Sequence, residues 1–201
     1  MAQFEDLIQK ISSCTLCVLS QGRNNAVPGE GSPTPKIMFI GEGPGFQEDK
    51  QGRPFIGQAG HFLDHLLASV GLNREEVFIT NVVKCRPPSN RDPLPGELEA
   101  CRPYLEAQIA HLKPKVIVTL GRHSLSWFFP KETISKSRAK ARTWNGTIVY
   151  PLYHPAAALH QQSLKSIIES DFKTLPAVLE KAEEPNQEVP QSASQQQLSM
   201  F

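Results

Sequence analysis

A chain of 201 residues has room for one domain and a tail, and at 39% hydrophobic it can close a core, which excludes a disordered chain. Lys and Arg number 21 against 20 Asp and Glu, a formal net charge of +1. That excludes a histone-like or ribosomal-type polycation, although a neutral total still allows a segregated basic face.

The chain starts Met1-Ala2-Gln3-Phe4-Glu5-Asp6, acidic where a secretory signal needs positive charge. No run reaches the roughly 18 apolar residues of a membrane span. The expected setting is therefore a reducing cytoplasm, where four cysteines serve as metal ligands or free thiols rather than disulfides. Residues 4–12 place Phe4, Leu7, Ile8 and Ile11 on one helical face, and Cys14-Thr15-Leu16-Cys17 comes next. Residues 36–41 form an apolar run that enters Gly41-Glu42-Gly43-Pro44-Gly45. A helix over 58–70 carries Phe62, Leu63, Leu66, Leu67 and Val70 and stops at Gly71. A second strand, 77–81, ends at Asn81; Cys85 and a proline-rich segment, 86–96, come after it. A helix over 96–112 carries Leu98, Cys101, Leu105, Ile109 and Leu112 and closes before Pro114. The third strand is 115–121, with a short helix after Gly121, and the fourth is 147–154, ending at His154. A last helix over 163–182 carries Leu164, Ile167, Ile168, Leu175 and Leu179.

Continuous β-branched runs suit parallel strands covered on both faces. Their alternation with helices predicts a three-layer α/β/α sandwich around a central four-stranded, mostly parallel sheet, occupying residues 1–182. Ligands of such sheets bind beyond the carboxyl ends of the strands, and three of the four strands end in candidate chemistry. After 182 the composition turns polar: 183–196 reads as a flexible linker, and 197–201 becomes apolar again. Residues 176–201 hold one base and four acids, a net of −3, so the first 175 residues carry +4.

The cysteines Cys14, Cys17, Cys85 and Cys101 leave no spare, which suits a four-thiolate site. Such a site takes a [4Fe–4S] cluster or a structural zinc. Zinc ribbons usually have two C-x2-C knuckles and this chain has one, which tilts the reading toward iron–sulfur. The alternative is four unrelated thiols. A cluster would clip the N-terminal helix to the segment 85–101, which cannot build its own core.

The glycine loop is a poor phosphate binder: Pro44 removes an amide donor, and the loop fits neither G-x-G-x-x-G nor a Walker motif. Taken with three downstream motifs, however, it gives a chain that resembles the family 4 uracil-DNA glycosylases, the iron–sulfur branch of that superfamily. The resemblance rests on Gly41-Glu42-Gly43-Pro44-Gly45 with Glu48-Asp49 downstream, Gly52-Arg53-Pro54-Phe55-Ile56-Gly57-Gln58-Ala59-Gly60, Asn81-Val82-Val83-Lys84-Cys85-Arg86-Pro87-Pro88 and His154-Pro155-Ala156-Ala157. The four cysteines fall where the family has its cluster ligands. The resemblance spans about residues 4–180.

It implies a monofunctional enzyme that flips uracil out of DNA, hydrolyses the N-glycosidic bond and starts base excision repair. Phe55 would be the stacking platform. Asn81 would read the base, donating to O4 and accepting from N3–H; cytosine reverses both groups and would leave buried atoms unpaired. His154 would donate to O2 as charge develops there, with the Gly43 backbone assisting. Glu42 would orient water or hold the loop, and Asp49 is a weaker alternative. Glu48 is a candidate wall against the methyl of thymine. Leu159 and His160 would fill the space the flipped base leaves. Phosphate contacts are expected from Arg86, with Lys84 and Arg91 beside it, and from Arg138, Lys140 and Arg142, with Lys131 and Lys136 in the same stretch. No lysine stands in the proposed pocket to form a Schiff base, so no strand cleavage is expected. The sequence departs from the family at Phe46 and Gln47, where acids are common, and at His160, where Arg is common.

The end, Gln197-Leu198-Ser199-Met200-Phe201, resembles the pentapeptide by which bacterial proteins bind the replicative sliding clamp, with Leu198, Met200 and Phe201 as apolar anchors and Gln197 leading. The expectation is a cytoplasmic, DNA-associated protein of bacterial type. It would act as a monomer on uracil-containing DNA, without a membrane. The competing reading is a non-catalytic iron–sulfur DNA-binding module of the same fold.

Overall fold

The computed structural model describes residues 2–184. In chain order the elements are α1 (Ala2–Ser12), α2 (Leu19–Gly22), β1 (Glu30–Gly31), β2 (Ile37–Gly41), α3 (Phe46–Gln51), α4 (Gln58–Ser69) and β3 (Phe78–Asn81). A 3-10 turn (Pro88–Asn90) leads to α5 (Pro95–Leu112), β4 (Val116–Leu120), α6 (Arg122–Phe128), α7 (Ile134–Ser137), β5 (Arg142–Trp144) and β6 (Thr147–Leu152). The chain continues through α8 (Ala156–His160), α9 (Ser163–Phe172) and α10 (Leu175–Glu183).

All five residues of β2 are buried, as are all five of β4. Side chains alternate across a strand, so Ile37 and Phe39 join one core and Met38 and Ile40 the other. The first core packs under Leu63, Leu66 and Leu67 of α4 and Ile168 and Phe172 of α9; Phe39 stacks on Phe172 at 5.8 Å between ring centres. The second core packs under Leu105, Ile109 and Leu112 of α5 and Trp127 and Phe128 of α6.

The sheet has six strands in the order β1-β3-β2-β4-β6-β5. The expected four are its parallel centre, β3-β2-β4-β6; the four-stranded count is corrected by two short antiparallel edges, β1 on β3 and β5 on β6. The second edge had a legible signal. Asn145-Gly146 stands between β5 and β6 with φ of 46° and 81°, the positive pair of a two-residue hairpin turn. The first edge is two residues long and has no pattern to read.

The predicted helix over 163–182 is two helices, because Pro176 cannot continue one and opens another near its start. Helices α3 and α8 are too short to show a period. The proline-rich segment 86–96 is ordered by Glu97. Its carboxylate accepts from the Leu94 N–H at 2.8 Å and forks with Arg91 at 2.6 and 2.8 Å, which caps α5. Helix α10 runs to Glu183, which pairs with Lys36 at 2.7 Å. The rest of the predicted linker and the clamp-binding peptide lie outside the described residues.

Candidate active site

A cleft of about 1030 Å³ opens at the carboxyl ends of the parallel strands. From β2 the chain leaves toward β3 on one side, and β4 lies on the other, so this is the point of the sheet at which strand order reverses and crevices form. Segments after β2, β3, β4 and β6 line it, among them Glu42, Glu48, Asn81, Gly121, Tyr153 and His154.

Asn81 ends β3 and is buried, and its Oδ1 has no hydrogen-bond partner among the described residues. Such a group is costly unless a donor is supplied from outside the fold. Its register partner across the sheet is Gly41. A Cβ there would collide with Asn81 Oδ1 and stand 2.6 Å from Phe55 Cζ, so only glycine keeps a slot between the amide and the ring.

Phe55 is buried in left-handed backbone, φ 50°, a strained state for a bulky residue that its surroundings must hold. Arg74 donates to Phe55 O at 3.1 Å and to Pro54 O, and is itself anchored by Glu30 at 2.7 Å and Asp64 at 2.9 Å. From the other side Glu48 Oε1 accepts from the Ile56 and Gly57 N–H groups, both at 2.9 Å. Glu48 thus lines the cleft and also braces the loop that carries the ring.

His154 follows β6 and stacks on Phe55, with centres 5.5 Å apart and planes inclined by 26°. Its Nδ1 accepts from the Ala156 N–H at 3.1 Å, which puts the proton of the neutral ring on Nε2. Burial drives its pKa down to about 4, against the opposing pull of the Glu48 carboxylate. At neutral pH the ring is an uncharged donor.

Glu42 lines the cleft half-buried, and burial raises its pKa. His123 Nε2 lies 3.7 Å from its carboxylate and 3.4 Å from that of Asp92. Asp49, the weaker candidate, is corrected by its position. It is buried, accepts from the Asn24 N–H at 2.9 Å and from the Asn24 side chain, and does not line the cleft. Its carboxylate pins the 24–25 loop. The Gly43 backbone, Leu159 and His160 do line the cleft.

The expected phosphate contacts divide. Lys84 is fully buried, not surface-facing: its Nζ donates to Thr80 Oγ1 at 2.6 Å, Asn81 O at 2.7 Å and Gln108 Oε1 at 2.7 Å. All three ammonium donors are used, and burial still pushes its pKa down to about 8. Arg138 grips Asp171 at 2.6 and 2.7 Å, and Arg142 pairs with Glu132; both side chains stay partly exposed. Lys131, Lys136 and Lys140 are exposed, and Arg86 is half-buried. The roles of Lys84 and Arg74 had no sequence signal, since a lysine or arginine looks alike whether it meets solvent or a carbonyl.

The four cysteines line one apolar pocket with Ile11 and Tyr104, where α1, the segment after β3 and α5 meet. Arg23 donates to Cys85 Sγ at 3.0 Å and the Lys84 N–H to Cys101 Sγ at 3.3 Å. Burial pushes the Cys101 thiol up to about 11. Among the described residues only Glu42, Asp92 and His123 form a trio of His, Cys, Asp or Glu ligand atoms within 4.8 Å of one another, so no three of the cysteine sulfurs do.

Compared with known proteins, residues 28–175 match the model of the uracil DNA glycosylase superfamily. The chain is 51% identical over 185 residues to a type-4 uracil-DNA glycosylase of Sulfurisphaera tokodaii, covering 87% of this chain and 84% of that protein. It is 49% identical to one of Saccharolobus solfataricus (87% and 86% covered) and 44% identical to one of Thermotoga maritima (88% and 95%).

In imidazole ¹H–¹⁵N correlation spectra, the His154 ring is expected to stay neutral and protonated on Nε2 across roughly pH 5–8, where exposed histidines titrate. A His154 midpoint near 6.5 would contradict the buried acceptor geometry.

Proposed function

The chain belongs to the uracil-DNA glycosylase superfamily, in its type-4 group, and from that premise we propose that its cleft receives a uracil nucleotide flipped out of DNA and hydrolyses the N-glycosidic bond, opening base excision repair. The observation that carries this reading is the buried, partnerless Asn81 Oδ1, facing the slot that Gly41 leaves beside Phe55 and His154.

Flipping costs roughly a few kcal/mol in lost stacking and pairing. Stacking on Phe55 returns part of it, and Leu159 and His160 on α8 fill the gap in the duplex. Asn81 Oδ1 accepts from uracil N3–H and the amide N–H donates to O4; cytosine offers neither match. Glu48 limits the space beside C5, excluding a methyl. As the N1–C1′ bond breaks, its electron pair moves into the base, and His154 Nε2–H donates to O2. The donor is already neutral and already oriented, so no reorganisation is needed. Water adds to C1′, and Glu42 orients it and takes its proton. Asp49 is too far into the loop packing to share this role. The raised pKa of Glu42 suits a group that returns a proton afterwards.

Cys14, Cys17, Cys85 and Cys101 would hold a [4Fe–4S] cluster, a fit supported by the one apolar pocket that all four line. When bound, the cluster supplies a structural clip between α1 and α5. Beyond the described residues, Gln197, Leu198, Met200 and Phe201 would engage the replicative sliding clamp.

Release of free uracil from a uracil-containing oligonucleotide tests the enzyme reading. Wild type should release it, His154→Ala should lose on the order of 10²–10³-fold in kcat, and Asn81→Ala and Glu42→Ala should also fall. If wild type releases none, the protein is a binding module and the reading fails. Iron and acid-labile sulfide should accompany the pure protein, with broad absorption in the visible; a colourless, zinc-loaded preparation would overturn the cluster. Removing 197–201 should abolish capture by immobilised clamp while leaving activity on short oligonucleotides intact, and undiminished capture would rule out the tail as the anchor.

A further inference from the structure

The exposed large hydrophobic side chains among the described residues are Leu16, Val18, Phe46, Leu94 and Leu159, and only Phe46 and Leu159 line the cleft. Leu159 has a role in the proposed reaction. Phe46 has none, and at 53% exposed it is the one aromatic of the five. A single exposed apolar residue is ordinary on a protein surface; what sets Phe46 apart is its place at the mouth of the cleft and the cation beside it.

Its surroundings identify the ligand. Phe46 opens α3, directly after the glycine loop that floors the cleft. The guanidinium of Arg86 sits over its ring, 5.2 Å from the centre, and Arg86 Nε donates to Asn90 Oδ1 at 2.8 Å, which fixes the cation there. An aromatic ring with a fixed cation over one face and half of its surface open to solvent matches a nucleotide: the open part of the ring takes the base and the cation the phosphate. Phe46 follows β2 and Leu159 follows β6, with β4 between them in the sheet. Two strand spacings set their loops roughly 10 Å apart where they leave the sheet. They therefore meet different nucleotides.

Resting on the glycosylase reading, we infer that Phe46 is a second stacking platform, which takes the base flanking the flipped uracil while Arg86 holds an adjoining phosphate. Flipping strips each neighbouring base of one stacking partner, and Phe46 replaces it on one side. The contact acts on engagement of DNA and leaves the reading of uracil to the inner pocket.

The test uses an oligonucleotide carrying uncleavable 2′-fluoro-deoxyuridine with 2-aminopurine on its 5′ or 3′ side. Binding is followed by anisotropy and by 2-aminopurine emission. Wild type should change the emission at one flanking position. Phe46→Ala should abolish that change and weaken affinity roughly tenfold, the size of one lost base stack; Phe46→Trp should restore both, and Phe46→Leu should not. Inhibition by free uracil, which reports the inner pocket, should be the same in all four proteins. Unchanged affinity and emission in Phe46→Ala would overturn the inference. So would equal rescue by Leu and Trp, or a parallel loss of free-uracil inhibition. Failure of wild type to release uracil from a cleavable oligonucleotide would instead remove the glycosylase reading, which separates the two outcomes.

Discussion

A buried amide oxygen with no hydrogen-bond partner costs on the order of 1–3 kcal/mol, and this fold keeps one. Asn81 sits at the end of a fully buried strand, in register with a glycine, and its oxygen faces the slot that the missing Cβ opens. No group among the described residues answers it. Much of the surrounding structure keeps it that way, by holding in place the groups that could otherwise collapse onto it.

Three braces do this. Lys84 ties the Asn81 carbonyl to Thr80 and Gln108, and Thr80 Oγ1 and Gln108 Nε2 both donate to Pro28 O, at 2.7 and 2.8 Å. Arg74 and Glu48 hold the loop that presents Phe55 in left-handed backbone. The Ala156 N–H holds His154 in one tautomer. Lys84 also touches the cysteine pocket through its own N–H, so the proposed cluster and the proposed base-reading amide share one residue. A cluster that orders the segment after β3 would thereby steady the amide as well.

Charge is distributed with the same economy. The body carries a net of +4, yet Arg53, Arg74, Arg91, Arg138 and Arg142 pair with acids and Lys84 is interred. Of the bases proposed for phosphate, Lys131, Lys136 and Lys140 stay exposed and Arg86 half-buried. The aromatic at Phe46 stands where the family commonly has an acid, beside the Arg86 guanidinium.

Much of this was legible in one dimension. The apolar runs of β2, β3, β4 and β6 and the periodicity of α4 and α5 reflect burial on both faces of a parallel sheet, which leaves no room for polar residues. The cysteine set and the glycine loop were visible because few chemistries need those residues. Tertiary structure decided the rest. It removed Asp49 from the cleft and Lys84 from the surface, and it paired Arg138 and Arg142 with Asp171 and Glu132. It also broke the last helix at Pro176 and added two edge strands to the sheet. The reason is common to the charged residues among these: a charged side chain's role depends on which partner the fold brings within about 3 Å, and partners such as Asn24 for Asp49, Gln108 for Lys84 and Asp171 for Arg138 are 24 to 33 residues away and leave no local mark. Sequence by itself determined the fold class and the residue types that chemistry would require; only the folded chain decided which of them face the cleft and which hold it open.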